Sequence, residues 1–378
     1  MFWSILVFLL VLSVLVLVHE FGHYWVAKRN GVWVEEFGFG LPPRVFGKKI
    51  GETIYSINAL PFGGFVRLHG EMNEDPTPQE LRGAGGVFKA SRAFINKSLW
   101  VKTAVIVAGV IMNFLLAIVC FAIVYSFSGI PREQGYVEIV DIVADSPASN
   151  SNIVVGQKLY SIDNKDVVYR EEVTDISSKG GKHTLIIGDK DADRQDLKKV
   201  VINTKFDEED QKWYMGLVLT STEIFYPPYW QRPFYGAYYG TKEAMFWGKN
   251  VVNGFISIFA DLFKGQSPKD VSGPVGVFAV TTEVAKTGVL SLINLVGIIS
   301  VNLAILNIIP FPALDGGRLL FIIVEAIFGK KVAPKLEGII HSVGMIILLL
   351  AILTITVKDI RGLISAGSIS GFLNNMAK

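Results

Sequence analysis

Four stretches of this 378-residue chain, at about 4–26, 103–127, 290–309 and 339–357, are apolar over the length needed to cross a lipid bilayer. A hydrocarbon core about 30 Å thick takes roughly 20 helical residues, and a helix keeps all its backbone hydrogen bonds to itself there. Composition agrees: 51% hydrophobic residues and a mean hydropathy of +0.42 exceed an ordinary soluble protein, and the apolarity comes in blocks. The predicted class is an α-helical multi-pass membrane protein with four transmembrane helices. A net charge of +2, with no dense basic run interleaved with aromatics, argues against a nucleic-acid partner. The one cysteine, Cys120, lies inside an apolar block and can close no internal disulfide.

Basic residues predict the orientation. No Lys or Arg precedes Lys28, so the first block lacks the basic flank of a cleaved signal and reads as a retained helix. Residues 28–101 hold ten Lys and Arg, which places this stretch on the cytoplasmic face and the N-terminus outside. Residues 128–289 are then expected outside, and Arg318, Lys330, Lys331 and Lys335 inside.

The first block ends in an unusual way. Residues 5–18 carry one polar side chain, Ser13, and are followed directly by His19-Glu20-Phe21-Gly22-His23. On a helix this spacing puts His19 and His23 one turn apart on one face, within reach of a single Zn²⁺, with Glu20 placed to take a proton from a water held there. Polar groups at this depth cost a few kcal/mol unless compensated. The plainer reading is a helix end snorkelling to the interface. His19 lies roughly 26 Å along the helix from Phe2, which puts the motif in the cytoplasmic half of the membrane.

A zinc site with two His ligands needs a third protein ligand. Of the remaining histidines, His183 falls in the outer segment, while His69 and His341 each stand singly. Glu325 has precedent as a downstream Glu, but Asp315, in Asn307-Ile308-Ile309-Pro310-Phe311-Pro312-Ala313-Leu314-Asp315-Gly316-Gly317, is the better candidate. The third helix also runs inward, its prolines break it, and irregular backbone at membrane depth belongs where it lines a cavity. The alternative for Asp315 is a helix cap.

These two motifs together resemble the site-2 protease family of intramembrane zinc metalloproteases, and most closely its bacterial RseP-like branch. Further matches are Glu36-Phe37-Gly38-Phe39-Gly40, Pro61-Phe62-Gly63-Gly64-Phe65-Val66, Ala108-Gly109-Val110-Ile111-Met112-Asn113 and Ser272-Gly273-Pro274-Val275-Gly276. The resemblance implies His19, His23 and Asp315 as zinc ligands and Glu20 as the catalytic base. Val110 stands where the family usually has proline, which bears on a kink beside Asn113 and not on the metal. Asn307 is a candidate to hold the substrate backbone or the developing oxyanion, against a packing amide. The expected activity is cleavage of peptide bonds within transmembrane segments of single-span proteins, such as membrane-anchored anti-sigma factors or signal-peptide remnants, in the bacterial cytoplasmic (inner) membrane. A metal transporter or a non-catalytic membrane scaffold would be the alternative; no internal repeat favours the first, and the second has no need of the His-Glu motif.

Residues 53–58 and 63–69 have strand composition and are expected to pair as a hairpin lying against the membrane. An edge strand there would offer backbone partners to an unwound substrate helix. About 130–222, short alternating runs with one helix near 168–178, and the stretches at 145–148 and 154–167, resemble a PDZ domain, a possible site for a peptide ligand or a size filter. About 226–263 is aromatic-rich and too polar to span, which reads as helices at the outer interface. The predicted division is 1–128, the first two spans with the sheet between them; 129–223, the PDZ domain; 224–289, the aromatic region; and 290–378, the last two spans.

Overall fold

In the computed structural model the first apolar block forms α1 (Phe2–Arg29), where Val7, Val11, Leu15, His19, His23 and Ala27 are buried in steps of four. That step keeps them on one side of the helix, so the stripe facing the bundle also carries both imidazoles. Residues 2–71, 91–189, 196–208, 212–265, 272–329 and 333–376 are described; Arg82, Lys89, Lys330 and Lys331 of the orientation argument lie outside them. The second block, α2 (Leu99–Ser128), also buries a line in steps of four, Val105, Gly109, Asn113 and Ala117. α1 and α2 touch backbone to backbone at Gly22, where a Cβ would come within 2.7 Å of the Ala108 carbonyl carbon and 2.8 Å of the Met112 side chain.

Between these helices, β1 (Val34–Ile50) and β2 (Thr53–Leu68) pair in a way that differs from the expected hairpin. Residues 53–58 and 63–69 do not pair with each other. Residues 36–39 lie between them, against 64–67 on one side and 54–57 on the other. The tight hairpin instead joins 44–50 to 53–58 across Gly51 and Glu52, with Gly51 at a φ of +63° that suits glycine. Gly38 makes the inserted position possible: a Cβ there would sit 2.5 Å from the Phe65 ring and 2.9 Å from Ser56 Oγ, so a side chain would push the flanking segments apart. The sheet runs down alongside α1, and Ser13 Oγ donates to the Pro61 carbonyl at 3.3 Å. Buried Glu36 ties the outer segment in, accepting from Arg44 Nε at 3.0 Å.

A separate compact unit, residues 128–232, holds β3 (Ile130–Ile142), β4 (Lys158–Ile162), β5 (Lys165–Asp166), α3 (Arg170–Ser177), β6 (Lys182–Gly188), β7 (Lys198–Asn203), β8 (Lys205–Asp207), β9 (Lys212–Tyr214) and β10 (Leu217–Phe225). Its main sheet has the order β10-β3-β4-β6-β7 with β5 on β4. Val137 and Ile139, and Leu185 and Ile187, face one core because side chains along a strand alternate faces, and Leu159 and Ile162 join them across an irregularity in β4. His183 is taken up here: its Nδ1 lies 2.7 Å from Asp163 Oδ2, while Asp163 Oδ1 accepts the Thr184 amide at 2.8 Å.

In the other unit follow α4 (Arg232–Phe263), α5 (Pro274–Thr287), α6 (Val289–Ile308), α7 (Asp315–Phe328), α8 (Pro334–Ala366) and α9 (Ile369–Met376). α1, α2, α6 and Leu336–Ala366 of α8 are long and apolar enough to span, matching the four predicted blocks. α4 approaches α2 through glycines, where a Cβ at Gly236 would meet the Ala122 carbonyl oxygen at 2.5 Å and one at Gly240 the Ala122 amide nitrogen at 2.6 Å, and Tyr239 and Trp247 pack beside them. Tyr229, Trp230, Phe234, Tyr238 and Phe246 stay exposed. α8 ties down α5 through buried Asp359, whose Oδ2 accepts the amides of Gly273 and Gly276, both at 2.9 Å. These are amides a helix start leaves unpaired.

Asp359→Ala strands both amides and should lower stability by about 2–4 kcal/mol, read as a drop in the thermal midpoint in detergent. Asp163 is pushed up by its partial burial, yet the Thr184 amide and His183 outweigh this and hold it below the ordinary carboxylate value. A carboxylate depressed in the fold adds stability above its unfolded pKa, and this is lost as pH falls through the folded one. Hydrogen exchange of 182–188 should therefore speed up relative to Asp163→Asn below about pH 4.

Candidate metal centre

The step of four on α1 brings the rings of His19 and His23 to a centroid separation of 4.7 Å, edge to face, with their Nε2 atoms 3.1 Å apart. Each ring is gripped from α2. His23 Nδ1 donates to the Val105 carbonyl at 2.8 Å, and Asn113 Nδ2 lies 3.4 Å from His19 Nδ1. Gly109, one turn from each, leaves room for the rings: a Cβ there would come within 2.6 Å of His23 Cε1 and 2.7 Å of His19 Cε1.

The third group arrives from the break between α6 and α7. α6 ends at Ile308, and 309–314 turn back before Asp315 opens α7. The turn is tight: a Cβ on Gly316 would be 2.5 Å from the Ile308 carbonyl oxygen, and one on Gly317 2.5 Å from that of Phe311. Glycine is needed at both positions because backbone occupies the space. Ala313 takes a φ of +82°, a rare conformation for a residue with a side chain, and its amide donates to His341 Nδ1 on α8 at 3.0 Å.

Asp315 Oδ2 thereby sits 3.0 Å from His19 Nε2 and 3.2 Å from His23 Nε2, and it is buried with no hydrogen-bond partner of its own. Because His23 already donates through Nδ1, a neutral His23 turns a lone pair toward Asp315 Oδ2. Lone pair against lone pair is repulsive, and a cation between them removes the repulsion. The separations of 3.0, 3.1 and 3.2 Å approach the edge of about 3.3–3.5 Å expected for a tetrahedral zinc with N and O ligands. Among the described residues, His19, His23 and Asp315 are the group whose donor atoms can hold a metal ion. The donor set fits zinc.

Peptidase family M50 matches residues 7–351 of the sequence. The chain belongs to that family. A relative from Clostridium acetobutylicum is 33% identical over 363 residues, covering 95% of this chain and 98% of its own length. One from Clostridium perfringens is 30% identical over 358 residues, covering 93% and 97%, and one from Staphylococcus aureus 28% over 432 residues, covering 95% and 98%. Each carries the name "Putative zinc metalloprotease".

In this M50 peptidase the other sequence candidates divide clearly. Glu20 lines a cavity of about 570 Å³ together with His23, Phe65, Val66, Asp315 and Arg318, and its Oε2 accepts the Val66 amide at 3.1 Å. Asn307 reaches the cluster, its Nδ2 3.4 Å from His19 Nε2. Glu325 does not; it pairs with buried Lys102 at 3.2 Å. His69 pairs with Glu35 at 2.6 Å, and His341 serves the turn before Asp315. Gly109 and Asn113 fall in the 108–113 match of the second helix, which gave them no part at the metal, and Val105 lies outside it; the spacing of four shared by all three, opposite the spacing of the two histidines, is the signal that could have pointed to them.

Gly109→Ala should crowd both rings and weaken metal retention on dialysis roughly tenfold or more. Gly254→Ala, on α4 with no atom near its Cβ position, should leave retention unchanged. Metal analysis of the purified proteins decides.

Proposed function

We propose that this M50 peptidase is an intramembrane zinc metalloprotease, with His19, His23 and Asp315 holding the metal and Glu20 acting as the base, cutting single-span membrane proteins within or beside their transmembrane segments. One observation carries the reading: two imidazoles from a membrane-length helix and a carboxylate from the break after another meet at hydrogen-bonding separations, with Glu20 on the adjoining cavity wall. When bound, zinc lowers the pKa of a coordinated water and polarises the scissile carbonyl.

The protein's own residues supply the rest. Glu20 accepts the proton of the attacking water and returns it to the leaving amine. Asn307, beside His19, donates to the carbonyl oxygen as negative charge develops on it. A transmembrane helix hides its peptide bonds in its own hydrogen bonds and must be extended before cleavage. Residues 64–68 offer the needed partner, since one side pairs with 36–39 while Phe65, Val66 and Leu68 line the cavity on the other. A substrate strand laid there passes directly by Glu20.

The basic residues of 28–101 support an N-terminus outside and a cavity opening toward the cytoplasmic face, from which water enters. Membrane lipid surrounds the four spans. The strands and single helix of 128–232 support a PDZ-like module outside, either taking an extended chain end or filtering substrates by size. Membrane-anchored anti-sigma factors and signal-peptide remnants are the substrate classes in view.

The test is cleavage of a single-span helix in proteoliposomes, with zinc measured on the same samples. Glu20→Gln should keep zinc and lose activity about 10²–10⁴-fold. Asp315→Asn should lose zinc and activity together. Full activity of Glu20→Gln would sink the role given to it.

A further inference from the structure

We propose that Asn113 is a positioning residue for the metal centre, its side-chain oxygen accepting the Nδ1 proton of His19 and so fixing which nitrogen of that ring faces the metal. The inference rests on the zinc reading above and concerns a residue that reading leaves without a role.

His19 Nε2 faces His23 Nε2 at 3.1 Å and Asp315 Oδ2 at 3.0 Å, so Nε2 is the nitrogen that must bring a lone pair to a cation. A neutral imidazole carries one proton, which must then sit on Nδ1. The group nearest His19 Nδ1 among its hydrogen-bond partners is the Asn113 amide, with Nδ2 at 3.4 Å. Two N–H groups cannot bond to each other. Asn113 is completely buried, and its Oδ1 has no hydrogen-bond partner. A buried amide oxygen left unpaired costs stability. A half-turn about χ2, which exchanges the nearly isosteric oxygen and nitrogen, removes the donor–donor clash: Oδ1 then accepts from His19 Nδ1–H, and the NH2 takes the place that Oδ1 held.

The backbone holds the residue for this task. Ser300 Oγ on α6 donates to the Asn113 carbonyl at 2.7 Å, which ties α2 to the helix that leads to Asp315. On the same face of α2, Val105 does for His23 what Asn113 does for His19, each taking the Nδ1 proton. Eight residues separate Val105 from Asn113 and four separate the two histidines, with Gly109 between the rings. One helix face therefore sets the tautomer of both ligands. Acceptors of this kind orient ligating imidazoles and raise their basicity, and their loss typically weakens metal binding by 10- to 100-fold.

The test is zinc affinity of the full-length protein in detergent, by competition with a chromophoric chelator, for wild type, Asn113→Asp and Asn113→Leu. Asn113→Asp keeps an acceptor and discards the donor, so it should hold zinc within a few-fold of wild type. Asn113→Leu should bind roughly 10–100-fold more weakly. Loss of affinity in Asn113→Asp comparable to that in Asn113→Leu would overturn the proposal, because it would mean that the amide acts as a donor. Wild-type affinity in Asn113→Leu would overturn it as well. If Asn113→Leu does not fold, the Asp variant alone decides. Wild-type protein that binds no zinc would instead bring down the reading of the metal centre, and this proposal with it.

Discussion

Two imidazoles and a carboxylate brought together inside a membrane protein repel one another and miss their water, and the rest of the structure follows from that. Burying an unpaired carboxylate in a low-dielectric interior costs several kcal/mol. The Oδ2 of Asp315 is buried against His19 and His23, and His23 has its proton turned the other way, toward Val105. A cation shared by all three relieves the desolvation and the lone-pair repulsion together. Such a cluster has the donor set to hold a metal ion.

Holding the three groups at these distances requires close approach of backbones, and glycine is what allows it. Gly22 lets α1 lie against α2, Gly109 clears space for the rings, and Gly316 and Gly317 let the chain after α6 fold back over its own last turn. The unusual φ of Ala313 is held by a hydrogen bond to His341, so α8 contributes to the placing of Asp315 without touching the metal cluster. The sheet serves the same end: its 64–67 edge descends beside α1 until the Val66 amide meets Glu20. The proposed base and the strand proposed to receive substrate are thus in contact.

Much of this was legible from residue order. The four spans follow from apolar runs of sufficient length, a local property that tertiary packing does not change. His19 and His23 lie on one face because a helix places residues four apart together. Asp315 could be singled out, since two prolines and two glycines around a carboxylate at the end of a span are costly unless they line a site. The hairpin expected from 53–58 and 63–69 was wrong in its pairing because two strands that are adjacent in sequence can be separated by a third that is not. Nothing near residue 60 reveals that 36–39 will lie between them.

What residue order determined by itself was the class of protein and the identity of the chemical groups: spans of the right length, a His-Glu-His turn, and a carboxylate at a broken helix. Each depends on near neighbours along the chain. Only the tertiary structure decided that α1, α2, the turn after α6 and α8 meet around one point, which nitrogen of His23 is already engaged, and that Glu20 lies against the strand at Val66. Those facts depend on contacts between residues tens to hundreds of positions apart, where helix crossings and glycine clearances set distances to a fraction of an ångström.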